Sequence, residues 1–242
     1  MKKAAFLLAT IPFVTGWVAW AKPSITDVVN SSASFLVKDW ITDPDFKEYY
    51  PPQVIPIAGG TRIFGACGKS VSGHEVGGSS YCPASHTIYL VPEQLEIFYK
   101  TFGPSSVAYV VAHEFGHAIQ NRYDDLQGGA EKELQADCLA GVLIDAGSKE
   151  LGITREDTIQ MAQAAYAIGD PSHGTGPQRT YALLSGMGVF KSGCSNKEML
   201  SLLRNEVQDP AYKKLRKTRS GTGSVDINST PYPKSIGASL GI

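Results

Sequence analysis

Ala108-Tyr109-Val110-Val111-Ala112-His113-Glu114-Phe115-Gly116-His117-Ala118-Ile119-Gln120 is the stretch on which the reading of this chain turns. His113 and His117 are four residues apart, so on a helix their rings project from one face, a turn apart. Two imidazoles at that spacing can share one zinc ion, and Glu114 can reach a water held by it. The chemistry implied is hydrolysis, with zinc lowering the water's pKa and Glu114 collecting its proton. Pro104-Ser105-Ser106 opens the helix, and it is expected to end near Asn121. Val107, Val110, Val111 and Ile119 supply its buried faces, while Gly116 lets another element come close.

Beyond the helix, Asp124 to Gly129 reads as a short loop, followed by a helix beginning near Glu131: Glu131-Lys132-Glu133-Leu134-Gln135-Ala136-Asp137-Cys138-Leu139-Ala140-Gly141. A short loop makes the two helices antiparallel neighbours. His117 and Glu133 then sit roughly 6 Å from the turn on either side, and so come level. Glu133 is the expected third zinc ligand, giving His, His and Glu with a position left open for water. Asp137, one turn on, suits a carboxylate that holds a ligand imidazole by its other nitrogen. The exchanged arrangement, with Asp137 on the metal, remains open from the sequence. Glu131 points elsewhere and reads as a solvated carboxylate at the helix start. The metzincin pattern is excluded, because Gln120 and Tyr123 occupy its Gly and third-His positions.

Upstream, Ser24 to Trp40 carries a helical apolar stripe. Val54-Ile55-Pro56-Ile57 reads as a strand that proline confines to a sheet edge, and Thr61-Arg62-Ile63-Phe64 as a second. His86-Thr87-Ile88-Tyr89-Leu90-Val91 is the best strand, either an ordinary packed one or an edge to which a peptide adds. His74 and His86 have no helical partner and are left out of the ligand set. Downstream helices are expected over Pro92 to Tyr99 (before the metal helix), Arg155 to Ile168, Pro177 to Leu184 and Lys197 to Arg204. The fold class expected is α+β, mainly helical with a small antiparallel sheet beside the metal-site helix.

The 242 residues suffice for one sizeable domain, and 43% hydrophobic with 19% charged residues is a globular balance that builds a core. A net charge of -1 gives no electrostatic reason to expect nucleic acid as partner. Lys213-Lys214-Leu215-Arg216-Lys217 reads as a solvated helix end rather than a polyanion contact. Lys2, Lys3, the apolar run Ala4 to Trp20 and the small-x-small Ala19-Trp20-Ala21 form an export signal. Residues 1–21 are therefore read as a signal peptide, 22–216 as the domain and 217–242 as a disordered Ser/Gly/Pro-rich tail. Membrane association is expected only if the first segment stays uncleaved. Four cysteines in an exported chain suggest two disulfides, with three pairings open. Cys67 with Cys82 would close a Gly- and Ser-rich loop, leaving Cys138 for Cys194.

With these blocks collected, the chain resembles the bacterial family named putative neutral zinc metallopeptidases. The likeness runs from about Trp40 to Cys194 and includes Tyr50-Pro51-Pro52, Ala66-Cys67-Gly68, Tyr81-Cys82-Pro83-Ala84 and the two helical stretches above. It continues with Ile168-Gly169-Asp170 and His173-Gly174-Thr175-x-x-Gln178-Arg179. The resemblance implies a zincin-like fold, one zinc on His113, His117 and Glu133, Glu114 as base, and the two cysteine pairs. His173 is a candidate to stabilise the anionic intermediate opposite zinc, and Arg179 to do the same or to fix a peptide carboxylate. The function expected is exported, zinc-dependent hydrolysis of peptide or protein substrates. The alternative is a catalytically silent zinc protein of the envelope.

Overall fold

A computed structural model describes residues 22–59, 61–63, 71–72, 78–123 and 128–217 of the chain. Residues 1–21, read above as an export signal, and Cys67, His74 and residues 218–242 lie outside the described residues.

Ser24 starts the first helix, α1 (Ile25–Thr42), through a reciprocal cap in which its hydroxyl accepts from Asp27 N–H and the Asp27 carboxylate accepts from Ser24 N–H. Val28, Phe35, Leu36 and Trp40 form its buried stripe. Among the described residues short strands follow: β1 (Gln53–Pro56), β2 (Arg62–Ile63), β3 (Val71–Ser72), β4 (Ser80–Cys82) and β5 (Thr87–Leu90). β2 pairs with β3, while the main sheet runs β1-β5-β4. It is mixed rather than wholly antiparallel. β4 pairs antiparallel with β5, but β1 lies parallel to β5 with Gln53 opposite Thr87 and Pro56 opposite Leu90. Pro56 sits on the outer strand, where its missing N–H costs no ladder bond. β5, paired on both sides, offers no free edge to a peptide. Among the described residues the outer edges belong to β1 and β4.

The rest is helical: α2 (Pro92–Phe102), α3 (Ser105–Tyr123), α4 (Ala130–Gly147), α5 (Arg155–Ala167), α6 (Gly176–Gly186), α7 (Asn196–Leu203) and α8 (Pro210–Leu215). Thr154, Thr175 and Ser195 open α5, α6 and α7 with capping boxes to Asp157, Gln178 and Glu198. The basic cluster runs through the end of α8, which Asp209 caps by accepting from Ala211 N–H.

α3 and α4 are buried on nearly every face, which makes them the centre of the fold. Their closeness depends on side chains that are absent. A Cβ on Gly116 would stand 2.7 Å from the carbonyl oxygen of Ala136 in α4. On the other side of α4, a Cβ on Gly186 of α6 would stand 1.8 Å from the Cys138 carbonyl oxygen. The disulfide Cys138–Cys194, with its Cα atoms 5.5 Å apart, then ties α4 to the chain just before α7. Closing a loop of 56 residues contributes about 4 kcal/mol in the chain-entropy picture. Cys82 is also disulfide-bonded, and its expected partner Cys67 falls outside the described residues. Among the described residues no helix is long and apolar enough to cross a membrane.

Candidate metal centre

The approach of α3 and α4 brings three donor atoms together. His113 Nε2 lies 3.1 Å from His117 Nε2 and 3.3 Å from Glu133 Oε2, and the third side, His117 Nε2 to Glu133 Oε2, is 3.5 Å. Four ligands around zinc at about 2.0–2.1 Å, spread at tetrahedral angles, stand about 3.3 Å from one another. The triangle has that size. Among the described residues these three form the group that could hold a metal ion, and Glu131 stays outside it.

The proton positions on His113 follow from its neighbours. Nδ1 lies 2.9 Å from Asp137 Oδ1, and a carboxylate oxygen can only accept, so Nδ1 carries the hydrogen. In the neutral ring the lone pair is then on Nε2, the atom facing Glu133 and His117. Three electron-rich atoms converging in a part-buried place repel one another unless a cation lies among them. The electrostatics express the same demand. Burial opposes a charge on His113, yet Asp137 and Glu133 overcome it and push the ring's pKa up to about 10. Burial likewise opposes ionised Glu133, but its contacts with His113 and His117 hold it far below the usual carboxylate range.

Asp137 is fully buried and does not join the donor group. Arg179 forks onto it, Nε to Oδ2 at 2.8 Å and Nη2 to Oδ1 at 2.9 Å, and Tyr109 adds its hydroxyl at 2.6 Å. Burial raises the Asp137 pKa, but the Arg179 charge and the His113 bond win and keep it depressed. Arg179 is itself only 4% exposed. The expectation that it acts on a substrate anion gives way to this geometry, since its fork is occupied by Asp137. The signal for Tyr109 was present in the sequence, because it lies a helical turn before His113. Arg179 comes from 42 positions beyond Asp137, and no local pattern connects the two.

Glu114, next to the donors, is 5% exposed, and its Oε2 is buried without a hydrogen-bond partner among the described residues. Burial raises its pKa, opposed by the charges of His113 and His117. A buried carboxylate oxygen left unpaired marks a place built for something that comes and goes. Glu114 opens onto a cleft of about 620 Å³ lined also by Ser80 and Tyr81 of β4, Phe98 of α2, Lys132, and the loop carrying Asp170 and His173. His173 is half exposed on that wall, its Nδ1 held 2.8 Å from Asp170 Oδ2 and 2.9 Å from Ser172 Oγ. Its Nε2 has no partner among the described residues. The serine and histidine contacts depress the Asp170 pKa. His86 stays apart from the donor group. It sits at positive φ (50°) in the β4–β5 turn, with its ring nitrogens on the Tyr81 hydroxyl (2.7 Å) and the Tyr50 carbonyl (2.8 Å).

Comparison with known proteins agrees with this geometry. The chain is 31% identical over 143 residues to the uncharacterized protein YpfJ of Escherichia coli K12, covering 51% of this chain and 48% of that one. It is 35% identical over 119 residues to the uncharacterized protein Rv2575 of Mycobacterium tuberculosis H37Rv, covering 43% and 39% respectively. The chain thus spans about half the length, or less, of these curated relatives. No solved structure matches it. Residues 25–183, which include every residue of the donor group and its Asp137–Arg179 support, match the profile of one family, so the chain belongs to the putative neutral zinc metallopeptidases.

Proposed function

We propose that this protein is an exported zinc-dependent metallopeptidase that hydrolyses peptide bonds, with His113, His117 and Glu133 holding one zinc ion. The observation that carries the reading is the triangle of donor atoms at tetrahedral spacing beside the unpaired, buried Glu114 oxygen. Zinc in that place supplies Lewis acidity, polarising the scissile carbonyl and acidifying a neighbouring water.

The remaining work falls to the chain's own side chains. Glu114 Oε2 takes a proton from the attacking water and passes it to the leaving amine. Its raised pKa suits both halves of that transfer, because a base too weak to keep the proton cannot deliver it. Asp137 holds His113 in the tautomer that turns Nε2 to the metal, and Arg179 keeps Asp137 ionised. His173, its Nδ1–H held by Asp170, donates from Nε2 to the oxyanion as it develops when the ring is in its imidazolium form. The substrate lies extended along the outer edge of β4, whose Ser80 and Tyr81 line the cleft. Export fits the disulfides, which persist in oxidising compartments.

The deciding experiment is metal analysis of the purified protein, then an unbiased peptide-library digest with Glu114→Gln as control. Stoichiometric zinc in both proteins, with cleavage lost only in the variant by about 10²-fold or more, is the expected result. Equal cleavage by the two would end the mechanism, and zinc without any cleavage would favour a silent envelope protein.

A further inference from the structure

His117 is held from behind by a side chain that does no chemistry. Its Nδ1 lies 2.8 Å from Oε1 of Gln120, three residues further along α3. A carboxamide can face either way, and a backbone group decides between them. Gln120 Nε2 lies 2.7 Å from the carbonyl oxygen of Lys132, which can only accept. The amide nitrogen therefore faces Lys132, the amide oxygen faces His117, and His117 Nδ1 must carry the proton. The lone pair of the neutral ring is thereby set on Nε2, the atom in the donor triangle.

The chain of bonds goes on. Gln120 Nε2 also donates to Gln135 Oε1 at 3.1 Å. Gln135 Nε2 donates in turn to the Cys194 carbonyl and to Asn196 Oδ1, both at 2.9 Å. A backbone carbonyl again fixes which way the amide faces. Both glutamines are buried, at 6% and 5% exposure, so water does not replace a lost partner. The last link, Cys194, is bonded to Cys138, the residue after Asp137. The supports of the two histidines thus meet at one disulfide. They differ in kind. His113 is backed by a buried ion pair, His117 by neutral amides that add no charge to a centre already holding Glu114, Glu133 and Asp137.

We propose that Gln120 and Gln135 are positioning residues, a neutral relay that fixes the ring and tautomer of His117 from the disulfide-closed segment at Cys194. The proposal rests on the zinc reading above, and its consequence is an affinity for the ion that depends on side chains touching neither metal nor substrate.

The test is the zinc affinity of the full chain, measured by competition with a chromophoric chelator. Gln120→Met is expected to weaken zinc about 10- to 100-fold. Gln135→Met should weaken it less, and the double variant should be no weaker than Gln120→Met, because Gln135 acts only through Gln120. A second readout is the Nδ1 proton of His117 in the zinc-loaded protein, seen by NMR in the parent and lost to exchange in Gln120→Met. Should Gln135→Met not fold, Asn196→Ala removes one anchor from outside the core and is expected to shift affinity the same way. Zinc affinity in Gln120→Met within twofold of the parent, or losses that add in the double variant, would overturn the relay alone. A parent chain that takes up no zinc would sink the functional reading with it.

Discussion

Replacing Gly116 by alanine tests whether helix approach builds the metal centre. The new Cβ would meet the Ala136 carbonyl oxygen at 2.7 Å, its Cα at 3.1 Å and its carbonyl carbon at 3.3 Å, all rigid backbone. To restore ordinary contact at 3.4 Å, α4 must retreat by about 0.7 Å at that point. Glu133 lies on α4 less than a turn from Ala136, while both histidines lie on α3. The retreat therefore opens the two sides of the triangle that end on Glu133, now 3.3 and 3.5 Å, and leaves the His–His side intact. A zinc site tolerates about 0.2 Å in its bond lengths, so the displacement exceeds what the ion can absorb. Overpacking costs about 1–3 kcal/mol, partly offset by about 1 kcal/mol from alanine's better helix propensity. The variant should fold when stripped of metal, with a modest loss of stability, yet bind zinc about tenfold or more weakly. Chelator competition on the folded protein, with denaturant melts with and without metal, measures both quantities. Unchanged zinc affinity would refute the argument that this contact sets the ligand geometry.

Three further outcomes are expected. Arg179→Met leaves the Asp137 carboxylate buried beside Tyr109 without its counter-charge, and should cost about 3–5 kcal/mol in denaturant melts of the metal-free protein. A loss under about 1 kcal/mol would contradict the buried-pair reading. Because Asp137 titrates below its unfolded value of about 3.9, it contributes stability that is present above that pH and lost as pH falls through the folded value. Melting temperature of the metal-free protein should accordingly drop as pH falls below about 4, and Asp137→Asn should flatten that part of the slope. His173→Phe should lower kcat by about 10²-fold or more while zinc affinity stays at the parental value, and loss of zinc instead would place His173 among the metal's supports.

The helical part of this fold is written in short-range patterns, and the sheet is not. Pro92, Pro104, Thr154 and Ser195 mark helix starts with local chemistry, so the helices fall within a few residues of their expected bounds. β4 has three residues, two of them in a Gly- and Ser-rich run, too short for alternation to be read. The parallel pairing of β1 with β5 is a long-range choice that neither strand announces. At the site, the i to i+4 histidines and the short loop before Glu133 are local signals. Gln120 was within reach of the same reasoning, standing a helical turn from His117. Gln135 and Arg179 were not, because what they hold is decided by how α4 packs against α6 and the Cys194 segment.

The donor residues all lie between positions 113 and 133 with their direct supports Gln120 and Asp137 close by in sequence, whereas the groups that anchor those supports come from 179 and 194. Reducing the Cys138–Cys194 bond would free the segment whose carbonyl anchors Gln135, so on the zinc reading a reducing environment should loosen the ion.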